Sequence, residues 1–122
     1  MSVKNKKIVK QIIELFTGNN HDLYSEYLTE NIKWNIVGMP LISGKIEFIK
    51  AVKSLELENF SLSRIKNIIS ESEFVVVESV GYLKVRTNSS DMPAYCDIYR
   101  IKNGKICEMT TYIIDTTSNN YN

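Results

Sequence analysis

At about residue 60 the apolar side chains of this chain change their spacing from three and four to two. Upstream, Ile8, Val9, Ile12, Ile13, Leu15 and Phe16 recur at helical intervals, with Lys6, Lys7, Lys10 and Glu14 between them. This predicts an amphipathic helix over roughly residues 4–17, with Gly18 where a C-cap belongs. Asp22 is placed to cap a short second helix carrying Leu23, Tyr24, Tyr27 and Leu28. Ile32 to Val37 reads as a strand ended by Gly38 and Pro40. Ser43 or Gly44 then opens a third helix with Ile46, Ile49 and Val52 on one stripe. If Gly44 is the cap, Glu47 falls at the third helical position, where a carboxylate favours a helix start.

Downstream the signals are those of strands. Phe60, Leu62, Ile65 and Ile69 suggest one, and residues 70–73 a turn. Phe74 to Val85 is rich in β-branched residues, with Gly81 a natural place for it to bulge or bend. Residues 86–91 read as a polar loop. Tyr95–Lys102 and Lys105–Ile114 flank Asn103-Gly104, a strong hairpin signal. The predicted order is α-α-β-α-β-β-β-β: an α+β fold, helices on one face of a curved antiparallel sheet. No linker or repeat divides the chain, so one domain over 1–122 is expected, with an ordered core near 4–115 and a polar tail over 116–122.

Charge and motif content remove several function classes. Lys and Arg number 15 against 14 Asp and Glu, so the basic excess of a nucleic-acid binder is missing and no nucleic-acid partner is expected. Lys4, Lys6, Lys7 and Lys10 read as a solvated helix face. No apolar run approaches the ~20 residues that cross a bilayer, and Lys10, Gln11 and Glu14 interrupt the region a signal peptide would need, so no membrane partner is expected. The sequons at Asn59 and Asn88 carry little weight without such a signal. Cys96 and Cys107 are the only thiols, too few for a disulfide scaffold, and a cytoplasmic protein is expected. The single His, His21, lies in a polar turn without partners. No His, Cys and carboxylate cluster has metal-site spacing, and no glycine-rich loop could cradle a phosphate. Neither metal nor cofactor is expected.

Two segments carry a resemblance. Tyr27–Gly44, with its Trp34-x-x-x-Gly38-x-Pro40-Leu41-x-Ser43-Gly44 loop, and Tyr95–Tyr112, with Asn103-Gly104-Lys105-Ile106, resemble the SnoaL-like proteins. These belong to the nuclear transport factor 2-like superfamily, with ketosteroid isomerase and polyketide cyclases as relatives. The resemblance runs from about Ile8 to Asp115. It implies a cone, a strongly bent sheet wrapped around the N-terminal helix, with an apolar pocket at the wide end. It also implies a homodimer formed through the outer sheet face, to which Ile98 and Tyr112 would contribute, with Trp34 either a core or a dimer-contact residue.

The terminal hairpin admits two registers. A two-residue Asn103-Gly104 turn sets Asp97 opposite Thr110; a three-residue loop with Gly104 as bulge sets it opposite Met109. The resemblance to ketosteroid isomerase implies the second, whose one face carries Tyr95, Asp97, Tyr99, Ile101, Cys107, Met109, Thr111 and Ile113. Arg100 and Glu108 then pair on the other face.

Asp97 is the candidate catalytic residue. A mid-strand carboxylate between two tyrosines is desolvated, which raises its pKa and favours the protonated, hydrogen-bond-donating form. By resemblance it matches the oxyanion-hole Asp of ketosteroid isomerase. Asn35 matches that enzyme's general-base Asp, and Thr111 matches an acid on the last strand of polyketide cyclases. An amide and a hydroxyl cannot replace those acids, but both suit a site that orients a ligand carbonyl or hydroxyl. Tyr24, Tyr95, Tyr99 and Met109 are candidate pocket walls, and Met39 a candidate rim. The expectation is a protein that binds a small apolar carbonyl- or hydroxyl-bearing molecule, isomerising, cyclising or dehydrating it without cofactor. The alternative is a binding or dimerisation module that has lost the family's acids.

Overall fold

A computed structural model describes residues 2–17, 20–54, 64–80 and 94–114. Gly18, Phe60, Leu62, Gly81, Tyr82, both sequons, the expected loop over 86–91 and the tail over 116–122 lie outside these.

Helix α1 (Ser2–Thr17) buries Val9, Ile12 and Phe16, three and four residues apart, and leaves Lys4, Lys7 and Lys10 in solvent. Full burial of such a side chain contributes roughly 1.5–3 kcal/mol, so this stripe fixes which face meets the sheet. Helix α2 (His21–Ser25) starts from Asn20, which makes no side-chain cap bond; Asp22 lies inside the first turn rather than at the cap. The Tyr24 ring is fully buried edge-on to Phe16, with centroids 4.7 Å apart. Helix α3 (Lys45–Ser54) begins at Gly44, whose carbonyl accepts from the Phe48 N–H. Its buried stripe is Phe48 and Val52, and Ile46, expected on that stripe, is 72% exposed. Phe48 wins the inner position because its ring packs on both Trp34 and Phe16, at 4.8 and 6.1 Å.

Among the described residues, six strands form one curved, open sheet in the order β2-β1-β6-β5-β4-β3. They are β1 (Leu28–Ile36), β2 (Ile42–Ser43), β3 (Arg64–Glu71), β4 (Phe74–Val80), β5 (Ala94–Lys102) and β6 (Lys105–Ile114). Four of the five pairings are antiparallel, but β1 lies parallel to β6. The two-residue β2 was not evident in the sequence. In β1 the buried side chains are Leu28, Ile32, Trp34 and Ile36, while Lys33 and Asn35 point outward. Of the two places expected for Trp34, core or dimer contact, it takes the core one.

The terminal hairpin follows neither expected register. Lys102 faces Lys105 across a two-residue turn in which Asn103 and Gly104 have φ of 53° and 79°, the doubly positive pair a type I′ turn requires. Ile101 then faces Ile106, but Arg100 faces Glu108, so Cys107 is an extra residue on β6. Beyond this bulge Tyr99 faces Met109 and Asp97 faces Thr111. The extra residue restores odd-on-odd pairing, so Tyr95, Asp97, Tyr99, Met109 and Thr111 share one face while Ile106 takes the inner place expected of Cys107. On the outer face Arg100 Nε meets Glu73 Oε2 at 2.6 Å and its Nη1 meets Glu108 Oε1 at 3.5 Å.

Candidate functional site

The polar centre of the inner face is built by three strands. Strand β6 lies between β1 and β5, so Thr111 has Ile36 as its partner on one side and Asp97 on the other. The Trp34 indole Nε1–H donates to Thr111 Oγ1 at 2.9 Å. The Thr111 hydroxyl donates in turn to Asp97 Oδ1 at 2.6 Å. Both upstream members are immobilised by packing: Trp34 is 4% and Thr111 6% exposed. The Thr111 carbonyl also accepts from the Val37 N–H, locking the end of β1 to β6.

Apolar and phenolic groups surround this chain of donors. Tyr95 and Tyr99 flank Asp97 along β5, Val77 faces it from β4, and Met109 lies beside Thr111 on β6. Asp97 keeps partial exposure, but protein atoms crowd its carboxyl on most sides. That burial pushes its pKa up to about 6, and the Thr111 hydrogen bond, which favours the ionised form, pulls the other way. The direction is the one that desolvation predicts, and at neutral pH a group with this pKa is mostly a carboxylate. Burial, with a smaller contribution from the Asp97 charge, holds the Tyr99 phenol well above its ordinary range. Cys96 and Cys107 are raised mainly by burial, which leaves neither thiol an activated nucleophile.

Among the expected site residues, Asp97, Tyr95, Tyr99, Met109 and Thr111 come together on the inner face. Asn35 does not: it is exposed on the outer side of β1, and its place is taken by its neighbour Trp34. Tyr24 sits in the helix-side core against Phe16. Met39 is 60% exposed in the turn after β1. The residue missed from the sequence is Trp34, although the alternation Ile32, Trp34, Ile36 carried the signal for its inward direction.

A depression of about 350 Å³ lies elsewhere, between β2 and α3, lined by Leu41, Ile42, Ser43, Glu47, Lys50 and Ala51. Its two charged groups pair with each other at 3.5 Å, and it is open to solvent, so it lacks the desolvated polar centre found at Asp97. Among the described residues no group of three or more His, Cys, Asp or Glu could hold a metal ion. No described helix is long and apolar enough to cross a membrane.

No curated protein sequence matches the chain. An NTF2-like protein from Burkholderia xenovorans is similar in structure, with a TM-score of 0.78 at 13% identity over 94% of this chain and 86% of that one. An NTF2-like protein from Cytophaga hutchinsonii gives 0.70 at 24% identity over 89% and 98%. An M. tuberculosis LEH-like epoxide hydrolase gives 0.74 at 13% identity over 92% and 84%. At these identities the likeness is one of fold. The family model of the SnoaL-like domain matches residues 9–109, all of the first segment that carries the sequence resemblance and most of the second, and the chain belongs to that family.

Proposed function

We propose that this chain holds a small, largely apolar molecule bearing a hydroxyl or carbonyl against the inner face of its sheet, with Asp97 as the acid–base group. The observation that carries this reading is the 2.6 Å Thr111–Asp97 hydrogen bond at the end of a buried donor chain. A carboxyl with a pKa near 6 exchanges a proton close to neutral pH, where general acid–base catalysis is most effective. Tyr95, Tyr99 and Met109 supply apolar walls and Thr111 orients the carboxyl, a combination suited to small-molecule sites. The proposed reaction class is isomerisation, cyclisation or dehydration, which calls on no cofactor.

One observation favours a second reading, a holder without turnover. Among the described strand carboxylates Asp97 alone lies on the inner face, and Asn35 faces away from it. A proton transfer that needs two groups lacks its second among these residues. Native mass spectrometry of the purified chain tests both. One small molecule retained per chain, and lost from a folded Asp97→Leu variant, is the expected result; a bare chain mass in both proteins would overturn ligand binding. Chemical change of the released molecule on re-incubation separates catalyst from holder.

The proposed assembly is a homodimer through the outer sheet face. Ile69, Val76, Ile98 and Thr110 form one row across β3, β4, β5 and β6, with exposed Phe74, Tyr112 and Ile114 beside it. An apolar face of this kind is uncommon on a monomer. Sedimentation equilibrium at micromolar concentration should give twice the chain mass, and Ile98→Asp should weaken association at least ~10-fold, since the charge would be buried unpaired. A monomeric parent protein would count against the dimer. The proposed compartment is the cytoplasm, a setting that the free thiols of Cys96 and Cys107 support.

A further inference from the structure

We infer that Asp97 meets its ligand as a hydrogen-bond acceptor, so that the site selects an apolar protonated amine or alcohol over the corresponding ketone. This rests on the reading that a small molecule is held at Asp97; it favours the hydroxyl over the carbonyl as the group presented there and adds the protonated amine. An indole N–H can only donate, and Trp34 donates to Thr111. A threonine hydroxyl has one proton, and Thr111 directs it to Asp97 Oδ1. Donation therefore runs in one direction, from Trp34 through Thr111, and ends on the carboxylate.

Reversing that direction would place the Trp34 and Asp97 protons on the same hydroxyl oxygen and strand the Thr111 proton. Packing against Phe48 fixes the Trp34 ring, and among the described residues its N–H acceptor is Thr111 Oγ1. With Oδ1 accepting from Thr111, the second oxygen is the one left for a ligand, and that hydrogen bond favours the ionised form, in which this oxygen can only accept. A ketone brings only acceptor lone pairs to this oxygen.

Among the described residues the negative charge has no counter-ion. The groups on the inner face around Asp97 are Tyr95 and Tyr99 on its own strand, Val77 and Ser79 on β4, Thr111 and Met109 on β6 and Trp34 on β1. The titratable ones are two phenols, and among the described residues no Lys or Arg pairs with Asp97. A partly buried carboxylate is stabilised when a cation reaches it. A ligand ammonium would supply that cation, and a hydroxyl would supply a donor without the charge. The position of the titration supports this, since at about 6 Asp97 is ionised at pH 7.5.

Three probes with one skeleton test the inference: 1-aminoindane, 1-indanol and 1-indanone, each titrated at pH 7.5 into isotope-labelled protein. The readouts are the Trp34 indole N–H and the Thr111 amide signals. Aminoindane should bind at least ~10-fold tighter than indanone, with indanol between them, and Asp97→Asn should level the three. Indanone binding as tightly as aminoindane, or a preference that survives Asp97→Asn, would overturn the acceptor assignment while leaving ligand binding at this face intact. If no probe moves either signal up to its solubility limit, the ligand-binding reading falls and the acceptor assignment falls with it.

Discussion

Replacing Trp34 with alanine should lower the unfolding free energy by about 3–5 kcal/mol, the usual cost of truncating a buried aromatic. The side chain is 4% exposed, packs against Phe48 with centroids 4.8 Å apart and donates to Thr111. Alanine leaves a cavity between α3 and the sheet and deprives the Thr111 hydroxyl of its donor. Trp34→Phe refills most of the volume and removes only the N–H, so its cost should be nearer ~1–2 kcal/mol. Urea unfolding of the three proteins, with unchanged denaturant slope, measures the difference. A loss below ~1 kcal/mol for Trp34→Ala would mean that the indole does not hold α3 to β1.

The second large effect is on the pH dependence of stability. Asp97 titrates near 6 in the folded chain against an ordinary aspartate value of 3.8, so folding favours its protonated form. Its contribution is fully present below pH ~4 and is lost as pH rises through ~6. A gap of about two units amounts to at most about 3 kcal/mol, and solvent access to this partly exposed residue reduces it. Asp97→Asn keeps an oxygen to accept from Thr111 but cannot ionise. Relative to the parent chain, the variant should therefore gain up to ~3 kcal/mol between pH 4 and pH 7.5. Other carboxylates cancel in that difference. A difference that stays flat across this range would place Asp97 in an ordinary solvated environment.

Much of the architecture is legible in local spacing. Val9, Ile12 and Phe16 announce α1, and Asn103-Gly104 announces the terminal hairpin, because both signals act over a few neighbouring residues. The register beyond the turn is not local. A single extra residue at Cys107 carries no sequence signature, yet it decides that Asp97 faces Thr111 rather than Thr110 or Met109. The parallel pairing of β1 with β6 is equally invisible, since it joins segments separated by the whole middle of the chain.

The site shows the same division. Asp97, Tyr95, Tyr99, Met109 and Thr111 share a face because alternation along a strand is strict once the register is known. The resemblance implies an inward Asn35, against the alternation of Ile32, Trp34 and Ile36 with Lys33 and Asn35. That alternation prevails in the fold because moving Asn35 inward would expose Trp34. The donor chain itself joins residues 34, 111 and 97, and only the sheet order brings them together.

A buried donor chain ends on Asp97, and burial sets the carboxyl to exchange its proton near neutrality. Carbon-13 NMR of the side-chain carboxyl resonances, with Asp97 assigned by its absence from Asp97→Asn, follows that proton directly. The expected titration midpoint lies near pH 6. A midpoint near ~4, the value of an ordinary exposed aspartate, would contradict it.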